Sequence, residues 1–284
     1  MVIIVSLITA AVFGSGDFCG GLAAKRASLM QVVAGSHAVG LVGVLLVALG
    51  TGSAPSSTAM ALGAFGGLFG GIGVALLYRR LAVGPMHVVA PLTAITSAVV
   101  PTIWGTATGE RLSFAAWIGL AVGLLAIGLV SSSGRNGSEA EVTVAVVLES
   151  LLAGTGFGLL FVVFDAADPT SAPWPVVGAR LLTTVGLGAL LVVGRVVGRG
   201  GAILPSGRPT WLLIGATGLL DTGANIGFLY ATGRGTLAIV AVLTSLYPVA
   251  TVVLAAVFLG ERMSVGQRWG FVGAMVATGL IAAG

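Results

Sequence analysis

Apolar residues occur along this chain in long blocks that short polar segments separate. Each block is about twenty residues long, and a helix of that length crosses the roughly 30 Å hydrocarbon core of a bilayer. The blocks are about twice as long as a barrel strand and do not alternate, which excludes a membrane β-barrel. We predict ten transmembrane helices at Val2–Leu22, Leu29–Gly50, Ala59–Tyr78, Pro85–Thr108, Ser113–Ser132, Thr143–Phe164, Trp174–Gly194, Thr210–Tyr230, Thr236–Leu259 and Val265–Ala283.

The composition indicates the same class of protein. Of the 284 residues, 57% are hydrophobic and 46 are glycine, whereas only 8% are charged. A soluble domain carries roughly 25% charged residues, so this chain lacks the side chains to cover a water-facing surface. The formal net charge is only +4, and no run of Lys or Arg is present to follow a phosphate backbone. We therefore predict an all-α integral membrane protein and exclude most soluble enzymes, disordered chains and nucleic-acid-binding proteins.

An internal repeat divides the chain into two parts. Gly109–Ser113 (GERLS) follows the fourth predicted span, and Gly260–Ser264 (GERMS) follows the ninth, 151 residues later. The predicted domains are residues 1–133 and 142–284, with five helices each, on either side of the polar segment Ser131–Glu141. An odd number of spans per half makes the second half run upside down relative to the first. Inverted repeats of this kind place a substrate site near the midplane between the halves.

Two five-helix halves that each close their fourth helix with Gly-Glu-Arg resemble the EamA-type branch of the drug/metabolite transporter superfamily. The resemblance covers essentially the whole chain and implies secondary transport of small metabolites through a central cavity. Pro248 matches a proline that the family usually has before the second motif, and Ser97 takes that place in the first half. Arg180 matches an arginine that is frequent early in the second helix of each half, and His37 replaces it in the first half.

Ionisable side chains inside the predicted spans are the first candidates for a site, because a charge at the bilayer centre costs about 2.5–3.5 kcal/mol. Together with one amide, they are Asp17, His37, Glu149, Arg180, Asp221 and Asn225. Asp17 and His37 lie at similar predicted depth, and a carboxylate beside an imidazole can exchange a proton near physiological pH. The alternative for His37 is a hydrogen bond to a carbonyl or a hydroxyl of the helix bundle.

Arg180 stays charged at any accessible pH and needs a carboxylate, a carbonyl or an anionic substrate group. Asp221 and Glu149 are its nearest partners by helical depth, so a structural ion pair and a substrate clamp both remain open. Asp221 and Asn225 are four residues apart and share one helix face. Glu149 lies nearer a helix end and is the weaker candidate.

Aromatic and hydroxyl side chains are the second group of candidates. Tyr247 precedes Pro248 in the middle of a span, where the proline frees a backbone carbonyl for a ligand or water. Ser97 lies on the symmetry-related helix. Candidate cavity-lining residues are Tyr78, Thr93, Trp104, Tyr230 and Thr244. The alternatives are that tyrosines at helix ends belong to the interface belt and that hydroxyls bond their own backbone.

Glycines four residues apart form two stripes on the third predicted helix: Gly63, Gly67 and Gly71, and Gly66 and Gly70. Such stripes let helices approach closely, and we interpret them as static packing surfaces. The helix carries Phe69 and Gly73 where the eighth helix has Asp221 and Asn225. One half therefore contributes polarity to the predicted cavity, and the other contributes space.

Several chemistries lack the residues that they require. Cys19 is the only cysteine and there are two histidines, so we expect no metal site, no cofactor and no enzymatic activity. No Gly-rich loop ending in Lys-Ser or Lys-Thr is present, which argues against direct coupling to ATP.

We predict a secondary active transporter in a bacterial cytoplasmic membrane that works by alternating access. Its partners are a small-molecule substrate and lipid, and the chain is a monomer or a homodimer. The favoured activity is export of an amino acid or a related amphipathic compound, with proton coupling as one option. The alternatives are an uptake carrier for an organic cation and a lipid-linked substrate flippase.

The orientation of the chain in the membrane stays open. Lys and Arg are concentrated in the loops after odd-numbered helices, which favours termini outside the cytoplasm, whereas the family resemblance implies cytoplasmic termini.

Overall fold

The computed structural model describes residues 1–83, 86–131, 143–197, 204–260 and 263–283. Within these ranges the chain is helical, and no residue lies in a β-strand. The helices are α1 (Val2–Ala24), α2 (Leu29–Thr51), α3 (Ser57–Val83), α4 (Met86–Ala107), α5 (Phe114–Ser131), α6 (Val144–Asp165), α7 (Trp174–Val196), α8 (Arg208–Thr232), α9 (Leu237–Thr244), α10 (Tyr247–Leu259) and α11 (Val265–Ala283), with a 3₁₀ turn at Pro169–Ser171.

The helices coincide closely with the predicted spans. Seven helical segments are long and apolar enough to cross a membrane: Val2–Ala24, Leu29–Thr51, Ser57–Leu77, Val144–Asp165, Trp174–Val196, Arg208–Thr232 and Leu237–Leu259. Two further apolar helices, Leu92–Ala107 and Phe114–Val130, are shorter. The chain is therefore a multi-pass membrane protein.

The ninth predicted span, Thr236–Leu259, is found as the apolar segment Leu237–Leu259, but it is not one continuous helix. It consists of α9 and α10, with Ser245 and Leu246 between them. Proline lacks an amide hydrogen, and its ring clashes with the carbonyl one turn earlier. Pro248 therefore stands in the first turn of α10, where an amide hydrogen would have no helical partner in any case.

Local signals set several helix ends. Ser28 and Gln31 exchange hydrogen bonds between side chain and backbone at the start of α2, and this capping box satisfies two free amide groups. Gly52 and Gly260 end α2 and α10 with φ of 66° and 68°, a region that favours glycine. In the connection after α6, the amide and the hydroxyl of Thr170 both donate to Asp168 at 2.8 Å. These bonds hold the pKa of Asp168 below its usual range.

Helices from the two parts of the chain pack against one another. α1 packs on α8, and α3 packs on α6; α2 packs on α7 and α8, and α7 also packs on α3. α4 packs on α9, and α5 packs on α11. The first helix of each predicted half thus packs on the third helix of the other half. The second, fourth and fifth helices pack on their counterparts.

Aromatic side chains pack together between the middle of the bundle and the end that contains Met1. Phe161 stacks on Phe228 with ring centroids 4.1 Å apart and lies 6.3 Å from Phe13. These rings belong to a buried cluster that also includes Phe164 and Trp174. Aromatic pairs of this geometry contribute about 0.5–1.5 kcal/mol beyond their buried area. We call this end of the bundle the Met1 side and the opposite end the Ala24 side.

Two glycines set the distance between α3 and α7. A Cβ on Gly63 would lie 1.8 Å from the carbonyl oxygen of Pro175, and a Cβ on Gly178 would lie 2.0 Å from that of Met60. Neither position can hold a side chain unless the helices separate. Gly186, further along α7, has no atom within 4 Å of such a Cβ.

We expect Gly178→Ala to destabilise the protein and Gly186→Ala to leave it unchanged or slightly stabilised. Overpacking lowers the free energy of unfolding by about 1–3 kcal/mol. Alanine in place of glycine at an open helical position raises it by up to about 1 kcal/mol. The measurement is thermal unfolding of the purified variants in detergent, followed by tryptophan fluorescence. Equal unfolding midpoints for the two variants would contradict the close packing of α3 against α7.

Candidate functional site

A cavity of about 90 Å³ lies between helices of both predicted halves. This volume is well above the roughly 10–15 Å³ that admits a single water molecule. The seven residues predicted as substrate-binding or coupling residues all line it: Asp17, His37, Ser97, Arg180, Asp221, Asn225 and Tyr247. The structure therefore brings together side chains from six helices, and their roles remain predictions.

Arg180 is buried and forms an ion pair with Asp221, linking α7 to α8. Its Nε also donates to Oγ1 of Thr222 at 3.0 Å. Of the two partners that the sequence offered for this arginine, the structure selects Asp221. A buried pair of this kind recovers the cost of removing both charges from water only when further hydrogen bonds satisfy its polar atoms, and Thr222 supplies one of them.

Asn225 lies one turn beyond Asp221 on α8. Its Nδ2 donates to the backbone carbonyl of Asp221 at 2.7 Å. This bond fixes the orientation of the amide and leaves its oxygen available to the cavity that the residue lines.

His37 interacts with Thr183 rather than with a carboxylate. The distance from Nδ1 of His37 to Oγ1 of Thr183 is 2.7 Å, and this contact joins α2 to α7. The Thr183 hydroxyl also lies 2.9 Å from the carbonyl oxygen of Ala179. When it donates to that carbonyl, it accepts from Nδ1 of His37. The other ring nitrogen, Nε2, is then the atom that can take up or release a proton.

Asp17 is the carboxylate of the cavity without a bonded partner. Within the described ranges, no side chain or amide donates a hydrogen bond to it and no basic group lies within ion-pair distance, whereas Asp221 is paired with Arg180. Two glycines bring neighbouring helices to α1 near Asp17. A Cβ on Gly16 would lie 3.4 Å from the backbone of Asp221, and a Cβ on Gly14 would lie 2.3 Å from the carbonyl of Tyr247.

Ser97 and the break in the ninth span meet in the interior. The hydroxyl of Ser97 lies 3.3 Å from that of Ser245 and donates to the carbonyl of Ala94 at 2.9 Å. Ser245 is one of the two residues between α9 and α10. The break therefore lies in the protein interior next to Tyr247, where Ser245 is fully buried, and not in contact with lipid.

The remaining lining is mostly apolar, and the sequence analysis did not single out most of it. Aromatic rings are contributed by Phe13, Phe157 and Phe161, and α3 contributes Gly67, Gly70 and Gly71. The glycine stripe predicted a packing surface, and α3 does pack closely there: a Cβ on Gly67 would lie 2.7 Å from Ala179. The same three glycines also border the cavity.

Several candidate cavity-lining residues lie elsewhere. Trp104 is 52% exposed and faces outward from α4. Tyr230 is 40% exposed, and the guanidinium carbon of Arg234 lies 3.7 Å from the centroid of its ring. Both residues are therefore at the surface, and the prediction that they line the cavity is wrong. Thr93 is buried and donates to the carbonyl of Ser150, so it ties α4 to α6 instead of lining the cavity. Thr244 is buried without a hydrogen-bond partner for its hydroxyl among the described residues, and the side chain of Tyr78 lies outside them.

Glu149 belongs to a separate ion-pair group on the Ala24 side. Its carboxylate accepts from Nε and a terminal nitrogen of Arg80 at 2.7 and 2.6 Å, and Arg79 lies at 3.3 Å. The prediction that Glu149 is an alternative partner of Arg180 is therefore wrong. Among the described residues, no group of three His, Cys, Asp or Glu side chains has the arrangement of a metal site.

Comparison with known proteins agrees with this architecture. Residues 144–283 match the family model of the EamA-like transporter family. The match spans the second half of the chain, from α6 to α11. A solved structure described only as the crystal structure of a protein superposes with a TM-score of 0.78 at 17% identity, covering 99% of this chain and 98% of that one. At this identity the match shows a shared fold, and no curated protein is significantly similar in sequence.

The EamA-like half is bound to the first half through the Gly-Glu-Arg motif. The carboxylate of Glu110 accepts hydrogen bonds from the amides of Leu237 and Ala238, the latter at 3.1 Å. These amides begin α9, where a negative charge is favourable. A Cβ on Gly105 would lie 2.3 Å from the same carboxylate, so that glycine makes room for the contact. The sequence analysis identified this motif only as the sign of a repeat, and in the structure the first copy caps α9. Glu261 and Arg262 of the second copy lie outside the described residues.

We expect Glu110→Ala to lower the free energy of unfolding by about 1–2 kcal/mol, the usual cost of losing a helix cap. Glu110→Gln keeps a hydrogen-bond acceptor but removes the charge, so we expect it to lower the free energy of unfolding by less than Glu110→Ala does. Arg111→Ala, at the exposed neighbouring position, is the control. Thermal unfolding in detergent measures all three, and a Glu110→Ala midpoint equal to that of Arg111→Ala would contradict the cap.

Proposed function

We propose that this EamA-like membrane protein is a secondary active transporter that moves a small metabolite by alternating access. The observation that carries the proposal is the cavity between helices of both halves. Asp17 and His37 come from the first half, and Arg180, Asp221 and Asn225 come from the second. Ionisable groups are costly in a membrane, and a cavity that collects them from both halves is what a substrate pathway requires.

The proposed architecture has ten transmembrane helices in two inverted five-helix repeats, residues 1–133 and 142–284. The reciprocal packing of the helices supports it, because α1 on α8 and α6 on α3 are equivalent contacts under exchange of the halves. The match of residues 144–283 to one family domain supports it as well. In such folds the halves move against each other around a site near the midplane.

The aromatic cluster suggests how access is controlled. Phe161, Phe228 and Phe13 pack together on the Met1 side. The cavity lining reaches Leu77 and Val33 towards the Ala24 side and Phe164 and Val176 towards the Met1 side. We propose that the rings of the aromatic cluster are a gating element, and that they separate during transport.

The proposed activity is export of an amino acid or a related amphipathic compound across a bacterial cytoplasmic membrane. The cavity contains the carboxyl group of Asp17, the Arg180–Asp221 ion pair and apolar walls. These groups together favour a substrate with polar and apolar parts. Asp17 and His37 are the groups proposed to bind protons if transport is proton-coupled. An organic cation is the second candidate, and the unpaired carboxylate of Asp17 is the observation that favours it.

We expect Val74→Trp to abolish transport and Ile72→Trp to preserve it. Val74 lines the cavity, whereas Ile72 is half exposed on the outer face of the same helix. The indole ring therefore fills the pathway at one position and enters lipid at the other. The assay is uptake of labelled amino acids, quaternary amines and nucleosides by proteoliposomes with an imposed pH gradient.

The wild-type protein and Ile72→Trp should accumulate at least one of these compounds above protein-free liposomes, and Val74→Trp should not. Transport by Val74→Trp at the wild-type rate would show that the substrate does not pass through this cavity. Purified Val74→Trp should remain monodisperse in detergent, which separates a blocked pathway from a misfolded protein.

A further inference from the structure

The break between α9 and α10 leaves backbone carbonyls without their helical donors. Pro248 has no amide hydrogen, so the carbonyl of Thr244, four residues earlier, loses its partner. The amide of Val249 donates to the carbonyl of Leu246 at 2.9 Å, which leaves the carbonyl of Ser245 without its partner as well. Among the residues that the structure describes, no other amide replaces either donor. An unpaired carbonyl away from water is costly unless a water molecule, an ion or a ligand binds it.

Three hydroxyl groups lie at or beside the break, and one of them has no partner. The hydroxyl of Thr244 is buried without a hydrogen-bond partner in the described part of the chain. Ser245 is fully buried next to it, and its hydroxyl lies 3.3 Å from that of Ser97 on α4. Ser97 donates its hydrogen to the carbonyl of Ala94 at 2.9 Å, so lone pairs of its oxygen remain available. A buried polar atom without a protein partner points to a bound water molecule or ion.

The oxygens at the break suit a monovalent cation. The two serine oxygens, 3.3 Å apart, can both bind one ion at about 2.4 Å, a distance usual for Ca²⁺ and for Na⁺, which has nearly the same radius. Hydroxyl and carbonyl oxygens are neutral, and without a carboxylate ligand they do not offset the desolvation of a divalent ion. The last carbonyls of α9 carry the negative end of its dipole, which favours a cation. Unwound carbonyls at broken helices coordinate Na⁺ in several transporter folds.

The cavity and the repeat both place this site between the two halves. Ser97 and Tyr247 line the cavity, so an ion in the cavity reaches the break. Ser97 occupies in α4 the position that Pro248 holds in the second half, and α4 runs unbroken from Met86 to Ala107. One half therefore supplies the broken helix, and the other supplies a hydroxyl that contacts it.

We propose that the break between α9 and α10 is a Na⁺ site. Its ligands are the hydroxyls of Ser97, Thr244 and Ser245 and the freed carbonyls of Thr244 and Ser245. The ion joins α4 to the broken helix, so the contact between the halves depends on the Na⁺ concentration. The site requires none of the His or Cys ligands of a zinc-type centre. It goes beyond the proposed transport activity and does not depend on the identity of the substrate.

Thermal unfolding of the purified full chain in detergent, without substrate, tests the site. NaCl, KCl and choline chloride are compared at equal ionic strength. An ion that binds only the folded protein raises the unfolding midpoint, and above its Kd the rise grows with the logarithm of its concentration. NaCl should therefore raise the midpoint of the wild type, and KCl and choline chloride should raise it much less.

Thr244→Val should weaken Na⁺ binding roughly tenfold or more, because even the outer groups of a metal site contribute about 10–100-fold to affinity. Valine has the shape of threonine without the unpaired hydroxyl, so without Na⁺ the variant should be at least as stable as the wild type. Ser97→Ala should weaken Na⁺ binding in the same way. The matched control is Thr184→Val, which removes another buried hydroxyl without a partner, on α7. Its midpoint should respond to NaCl as that of the wild type does.

Equal stabilisation of the wild type by the three salts, or none by NaCl, would overturn the proposal. The same dependence on NaCl in Thr244→Val as in the wild type would overturn it as well. No substrate enters these measurements, so the transport assay with Val74→Trp and Ile72→Trp gives its own result. A failed Na⁺ site and a failed transport function are therefore distinguishable.

Discussion

The structure depends on the cost of placing a charge in hydrocarbon. Arg180 cannot lose its proton, so its position inside the bundle requires a permanent partner. Asp221 provides the opposite charge and Thr222 a hydrogen bond, and together they fix α7 against α8. Once these groups are enclosed, the other polar side chains of the interior face the same space. The cavity is the consequence, because lipid would not accept these groups on the outer surface.

Glycine makes the enclosure geometrically feasible. Gly63 and Gly178 let α3 and α7 touch backbone to backbone, and Gly67, Gly70 and Gly71 let α3 pack closely against α6 and α7 at the edge of the cavity. The second half supplies most of the charged groups of the cavity. Across the bundle, Glu110 holds the start of α9, whose other end lies at the break beside Tyr247. The loop after α4, which contains Glu110, is thereby connected to α9 in the second half.

The sequence predicted most helices because they coincide with long apolar blocks, although the ninth block is divided between α9 and α10. The seven residues that line the cavity stood out because a charge or a mid-span proline is rare in such blocks. It did not predict contacts that depend on the rotation of a helix. Trp104 and Tyr230 lie at plausible depth but face outward, and Thr93 faces a neighbouring helix. Glu149 was an acceptable partner for Arg180 by depth alone, but only the lateral arrangement of α3 and α6 shows that Arg80 reaches it first. The phenylalanines of the lining were not separable from the many other apolar residues by type.

The central claim is that a water-accessible space lies between the two halves, and thiol labelling tests it most directly. In a Cys19→Ser background, Val74→Cys and Ile72→Cys place single thiols at nearly the same depth of α3, one lining the cavity and one on the outer face. A charged, membrane-impermeant thiol reagent applied to membranes opened to both sides should label Val74→Cys and leave Ile72→Cys unlabelled. Equal labelling of the two thiols, or labelling of Ile72→Cys alone, would contradict the account.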